Sequence, residues 1–94
     1  MSVKKIKIDY DIISDTIPIL KEQLYKLLSN SEFVKLVLDI QNVKMIDSVG
    51  FGFLISIHNN LANNDKLLEI IKISTNFYEY FKHVQIDRFF EISK

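Results

Sequence analysis

The sequence contains no cysteine and no tryptophan, and it has only two glycines and one proline. Without cysteine, disulfides, zinc–thiolate sites and thiol catalysis are excluded. The longest apolar run, from Val49 to Ile57, is far shorter than the roughly 20 residues of a membrane-spanning helix. Twelve basic residues balance twelve acidic ones, so we expect no nucleic-acid partner and no direct membrane insertion. A cytoplasmic location is the default expectation.

The hydrophobic pattern predicts alternating strands and helices in one small domain spanning residues 1–94, because no linker, repeat or low-complexity tract divides them. Strands are predicted at about 3–10, 34–40, 67–73 and 88–92. Helices are predicted from about 17 to the Ser29–Ser31 segment, at about 48–61 and at about 77–84. The order β-α-β-α-β-α-β predicts a small α/β fold with a mainly parallel four-stranded sheet and right-handed crossovers.

The second predicted helix has two different faces on a helical wheel. One face is predicted to pack on the sheet and contains Gly50, Phe53, Leu54, Ile57 and Leu61. The other face contains Ser48, Gly52, Ile55 and Asn59, with Phe51 at its border. Grouped apolar side chains beside a polar helix start indicate a contact surface. Gly52 would leave Ser48 open to the active site of a partner.

Asp47 and Ser48 have two interpretations. Both are ordinary N-cap residues, so their position at the predicted helix start is explained by capping alone. Alternatively, a serine held at an exposed strand-to-helix turn is the best candidate for the functional position of the chain. The spacing alone favours capping.

Other chemistry finds no support in the sequence. His58 lies ten residues after Ser48, which is about 15 Å along a helix, too far for it to act as a general base. Neither His58 nor His83 belongs to a metal-binding spacing, and no glycine-rich phosphate loop occurs. We therefore expect no catalytic residue, no metal and no cofactor, and we expect that the protein is not an enzyme.

Several segments together resemble the STAS domains of the anti-sigma factor antagonist family. The resemblance begins with Leu38-Asp39-Ile40 and Ile46-Asp47-Ser48-Val49-Gly50-Phe51-Gly52. It extends to the Thr16–Leu20 segment and, near the end, to the 77–81 and 86–92 segments. It implies an STAS-like fold over nearly the whole chain.

The resemblance also implies a function. In that family, the serine after the aspartate is phosphorylated, and Ser48 alone occupies that position here. The implied partners are a serine kinase that is also the anti-sigma factor, bound when Ser48 is unmodified, and a serine phosphatase that resets the cycle. The implied partner-binding residues are Asp47, Ser48, Val49, Phe51, Gly52, Ile55 and Asn59.

Several positions depart from the family pattern. Val49 stands where a Ser, Thr or Ala is usual, Gln85 replaces a common Gly before Ile86, and Asn63-Asn64-Asp65 replaces a glycine-rich turn. These departures bear on the identity of the partner more than on the fold. One alternative function is a stand-alone STAS subunit that docks in a lipid-transport ABC complex or a signalling scaffold without phosphate turnover. Another, of a different class, is a small ligand-binding module or enzyme that uses the same turn.

Overall fold

The computed structural model describes residues 2–29 and 32–94. The strands are β1 (Val3–Lys7), β2 (Lys35–Asp39), β3 (Leu67–Ile71) and β4 (Glu91–Ile92). The helices are α1 (Ile17–Ser29), α2 (Ser48–Ala62) and α3 (Thr75–His83), followed by a 3-10 helix at Ile86–Arg88. The predicted α/β alternation is confirmed. The predicted end of the first helix also included Asn30 and Ser31, which lie outside the described residues.

The four strands form one sheet in the order β1-β2-β3-β4, and every neighbouring pair is parallel. With strands in chain order, right-handed crossovers place the three helices on the same face of the sheet. Ile6, Leu38 and Ile70 are in register and belong to the core on that face. On the opposite face, Lys35 pairs with Glu69 at 2.9 Å and with Glu91 at 3.4 Å.

The predicted strands at 3–10 and 67–73 are too long. β1 ends at Lys7, although the Ile8 amide still donates to the carbonyl of Asp39 at 2.9 Å. β3 ends at Ile71, because the next residue, Lys72, has a positive φ of 58° and leaves the extended conformation. The carboxyl ends of these strands lie at the same edge of the sheet as the start of α2, because β1, β2 and β3 are parallel and α2 follows β2.

The predicted strand at 88–92 is wrong over most of its length. Gln85 has a left-handed φ of 63°, and a 3-10 helix follows it. The amide of Arg88 donates to the Gln85 carbonyl, and the amide of Phe89 donates to that of Ile86. The apolar residues of the 88–92 segment fit the pattern of a strand. In the structure, however, Phe90 is buried in the core from a turn, and only Glu91–Ile92 pairs with β3.

The inner face of α2 is largely as predicted. Gly50, Leu54, Ile57 and Leu61 are buried. Phe53 was predicted to be buried with them and is only half-buried, because it lines a cleft between α1 and α2. The wheel thus identifies the core side of α2 and misses the gap beside it.

Candidate functional site

The carboxylate of Asp47 fixes the start of α2. One oxygen accepts the Gly50 amide at 2.7 Å, which makes Asp47 the N-cap of the helix. The other oxygen accepts the Ser14 amide from the β1–α1 loop at 2.9 Å. These amides of Ser14 and Gly50 lower the pKa of Asp47 below its ordinary value. Capping therefore explains Asp47, whereas Ser48 is the first residue of the helix and has no capping role.

The loops after β1 and β2 are joined beside this cap. The Ile12 amide donates to the Met45 carbonyl at 3.0 Å, and the Asp47 amide donates to the Ile12 carbonyl at 3.3 Å. A single oxygen of Asp11 accepts the amides of Lys44 and Met45 at 2.9 and 3.1 Å. Backbone and carboxylate bonds thus hold the two loops as one support under the start of α2.

Ser48 is exposed at this support. Its hydroxyl makes no hydrogen bond to any residue that the structure describes. Around it, Val49 is 50% exposed and Met45 is 56% exposed. A Cβ added at Gly52 would meet no atom within 4 Å, so the next turn of the helix leaves open space. We call the patch formed by Met45, Ser48, Val49 and Gly52 the Ser48 surface.

Helix α2 contains no Asp, Glu, Lys or Arg along its whole length. Its exposed positions are Ser48, Val49, Gly52, Ser56, Asn59, Asn60 and Ala62. A solvated helix face ordinarily carries charged side chains, whereas the buried centre of a protein–protein interface is depleted of them. The composition of this face fits a contact surface better than a solvated one.

The other predicted partner-binding residues lie elsewhere on α2. Phe51 is half-buried, and its ring lies 5.1 Å from that of Tyr80 and 5.3 Å from that of Phe81, both in α3. Ile55 is also half-buried and packs against the core, and Asn59 is exposed. Phe51 therefore contributes to the seam between α2 and α3 and presents only part of its ring to solvent.

Sequence reasoning missed two contributors to the site. Met45 is an exposed apolar side chain just before the predicted helix, and its position in the turn was an available signal. The Ser14 amide donates to Asp47, which is 33 positions away in the chain, and no local sequence pattern predicts that hydrogen bond.

A buried carboxylate lies at the end of β2. Asp39 is 3% exposed, accepts the Gln41 amide at 3.0 Å and pairs with the Lys72 ammonium at 3.4 Å. Burial opposes its ionisation, yet the Gln41 amide and Lys72 together hold the pKa of Asp39 below its ordinary value. Gln41 follows β2 and Lys72 follows β3, so Asp39 joins the carboxyl ends of these two strands and has a structural role.

The histidines do not join the site. The ring of His58 lies 6.0 Å from the rings of Phe89 and Phe90, at the far end of α2 from Ser48. Within residues 2–29 and 32–94, no group of His, Asp and Glu side chains is arranged to hold a metal ion. Among the same residues, no helix is long and apolar enough to cross a membrane.

Comparison with known proteins agrees with this architecture. A solved structure from Thermotoga maritima, described as a candidate anti-sigma factor antagonist, superimposes with a TM-score of 0.86 at 15% sequence identity. The match covers 98% of this chain and 79% of that one, and it shows a shared fold. The sequence profile of the STAS domain family matches residues 2–94. The chain therefore belongs to the STAS domain family.

Proposed function

We propose that this chain is a phosphorylation-controlled protein-binding switch of the anti-sigma factor antagonist type, and that it is not an enzyme. The unmodified Ser48 surface binds a serine kinase that also acts as the anti-sigma factor. Phosphorylation of Ser48 ends that binding, and a serine phosphatase restores it. The single observation that carries the proposal is the exposed, unbonded hydroxyl of Ser48 on a charge-free helix.

The electrostatics of the site support a switch. Phosphorylation adds about −1.5 to −2 charges at neutral pH. On the Ser48 surface this charge would stand beside the apolar side chains of Met45 and Val49, both about half-exposed. A partner that covers these side chains would have to desolvate the phosphate, and the cost opposes docking.

Asp47 also opposes a phosphate on Ser48 within the same chain. A helix N-terminus normally stabilises a phosphate through its free amides. Here Asp47 already accepts the Gly50 amide, and its own carboxylate repels a second anion on Ser48. Asp47 therefore reduces the stabilisation that the phosphate gains from α2, and we expect the fold to be retained while the contact surface changes.

The test is phosphate incorporation. The protein is incubated with ATP and the serine kinase encoded nearest to it in its genome, and intact mass and peptide fragments are measured. We expect one phosphate on Ser48, none on Ser48→Ala and normal incorporation on Ser56→Ala. Ser56 is the matched control, because it is another exposed serine on the same helix. Phosphate at another residue alone would remove Ser48 from its role.

A further inference from the structure

A cleft of about 320 Å³ separates α1 from α2, and no residue of the Ser48 surface lines it. Its volume is at the lower end of the range for small-molecule pockets, roughly 300–1,000 Å³. Its walls are mostly apolar: Leu24 and Ile57 are buried beneath it, and Leu28 and Phe53 are half-buried along it. The rest of the lining is Lys21, Tyr25, Ser29, Ser56 and Asn60. The space therefore suits the apolar body of a small ligand.

The electrostatics of the cleft select the polar part of that ligand. Among the described residues that line it, Lys21 is the only charged one, and none is acidic. Lys21 makes no ion pair with any residue in the described part of the chain. A cation without a partner beside an apolar wall complements an anionic head group.

The topology places this cation at one end. Helices that follow successive parallel strands run in the same direction, so Lys21 and Phe53 mark one end of the cleft, and Ser29 and Asn60 mark the other. From Lys21 to Ser29, α1 advances roughly 12 Å at 1.5 Å per residue. An extended alkyl chain advances roughly 1.3 Å for each C–C bond of about 1.5 Å, so about ten carbons span the cleft.

We propose that this cleft binds a medium-chain fatty acid, with its carboxylate at Lys21 and its alkyl chain along Leu24 and Phe53. The cleft volume of about 320 Å³ is too small to hold a helical peptide, since a helix with its side chains is about 10–12 Å across. The assignment is independent of the switch at Ser48.

The test is a titration of ¹⁵N-labelled protein with decanoate, kept below its micelle concentration, followed by amide chemical shifts. We expect shifts concentrated in residues 21–29 and 53–60. Lys21→Gln should weaken binding roughly five-fold, the effect of a partly exposed ion pair. The control, Lys26→Gln, should leave it unchanged, because Lys26 is on the same helix but does not line the cleft. Ser56→Phe, a change at an exposed lining position, should fill the cleft and block binding.

Decanol distinguishes head-group recognition from simple apolar partitioning. We expect decanol to bind more weakly than decanoate to the unmodified protein and about as well as decanoate to Lys21→Gln. Equal binding of decanol and decanoate to the unmodified protein would overturn the role of Lys21. Shifts spread over other surfaces, or no shifts at all, would overturn the site.

Discussion

Gly50 packs so closely against Ile12 that a Cβ at position 50 would lie 2.0 Å from the Ile12 carbonyl oxygen. That same oxygen accepts the Asp47 amide, so the contact is part of the support beneath Ser48. Gly50 has no positive φ. Glycine is required at position 50 because a larger side chain would not fit against Ile12, and not because the backbone is in an unusual conformation.

Gly50→Ala should therefore destabilise the domain by about 1–3 kcal/mol, the usual cost of overpacking, because the atom in the way belongs to the backbone. Gly52→Ala is the matched control. It should stabilise α2 by about 0.5–1 kcal/mol, since the added methyl meets open space and alanine favours the helix. Urea unfolding measures both, and equal effects would show that the Ile12 contact does not constrain α2.

The cap at Asp47 predicts a dependence on pH. The pKa of Asp47 is lowered in the folded protein by the amides of Ser14 and Gly50. Its stabilisation is therefore fully present above the ordinary aspartate pKa of about 3.9 and is lost as the pH falls through the folded pKa. Asp47→Asn should lower the unfolding free energy at neutral pH, and its deficit should shrink below about pH 4.

The control for that measurement is Asp15→Asn, an exposed aspartate on the same loop as Ser14. At neutral pH, Asp15→Asn should leave the unfolding free energy nearly unchanged, because the Asp15 carboxylate accepts no hydrogen bond from the described residues. A deficit of Asp47→Asn that stays constant from neutral to acid pH would contradict the account of the cap.

The sequence predicts the sheet and the core side of α2 because both depend on local periodicity. Leu54 and Ile57 repeat at helical spacing, and most residues from 33 to 40, around β2, are apolar. The missed features depend on contacts between distant segments. Neither the fit of Gly50 on Ile12 nor the packing of Phe51 on Tyr80 has a local signature, because each joins residues about 30 or more positions apart. The 3-10 helix at Ile86–Arg88 was missed because its apolar neighbours also satisfy a strand pattern.

The two sides of α2 predict different stabilities. Leu54 is fully buried at 0% exposure, so Leu54→Ala should cost about 2–5 kcal/mol. Ile55 is only half-buried, and Ile55→Ala should cost considerably less. Thermal or urea unfolding measures the pair, and equal losses would mean that the two faces of the helix are not distinguished by burial.

The left-handed residue Gln85 predicts a stabilising substitution. A non-glycine residue in this conformation costs about 1–2 kcal/mol, and glycine removes that cost at a smaller cost in unfolded-chain entropy. Gln85→Gly should therefore raise the unfolding free energy by about 0.5–1 kcal/mol. Arg88→Ala is the control, since it removes the 2.8 Å bond between Arg88 and the Gln85 side chain without changing that backbone. A destabilised Gln85→Gly variant would mean that the side chain matters more than the φ angle.

The most direct measurement of the central claim compares the affinity of the partner kinase for phosphorylated and unmodified protein, by calorimetry in the absence of ATP. We expect phosphorylation of Ser48 to weaken binding at least ten-fold, about 1.4 kcal/mol. Amide chemical shifts outside the Ser48 surface should show an unchanged fold. Ser48→Ala and Ser56→Ala should bind like the unmodified protein. Equal affinity for the phosphorylated and unmodified forms would contradict the switch and favour a docking subunit without phosphate turnover.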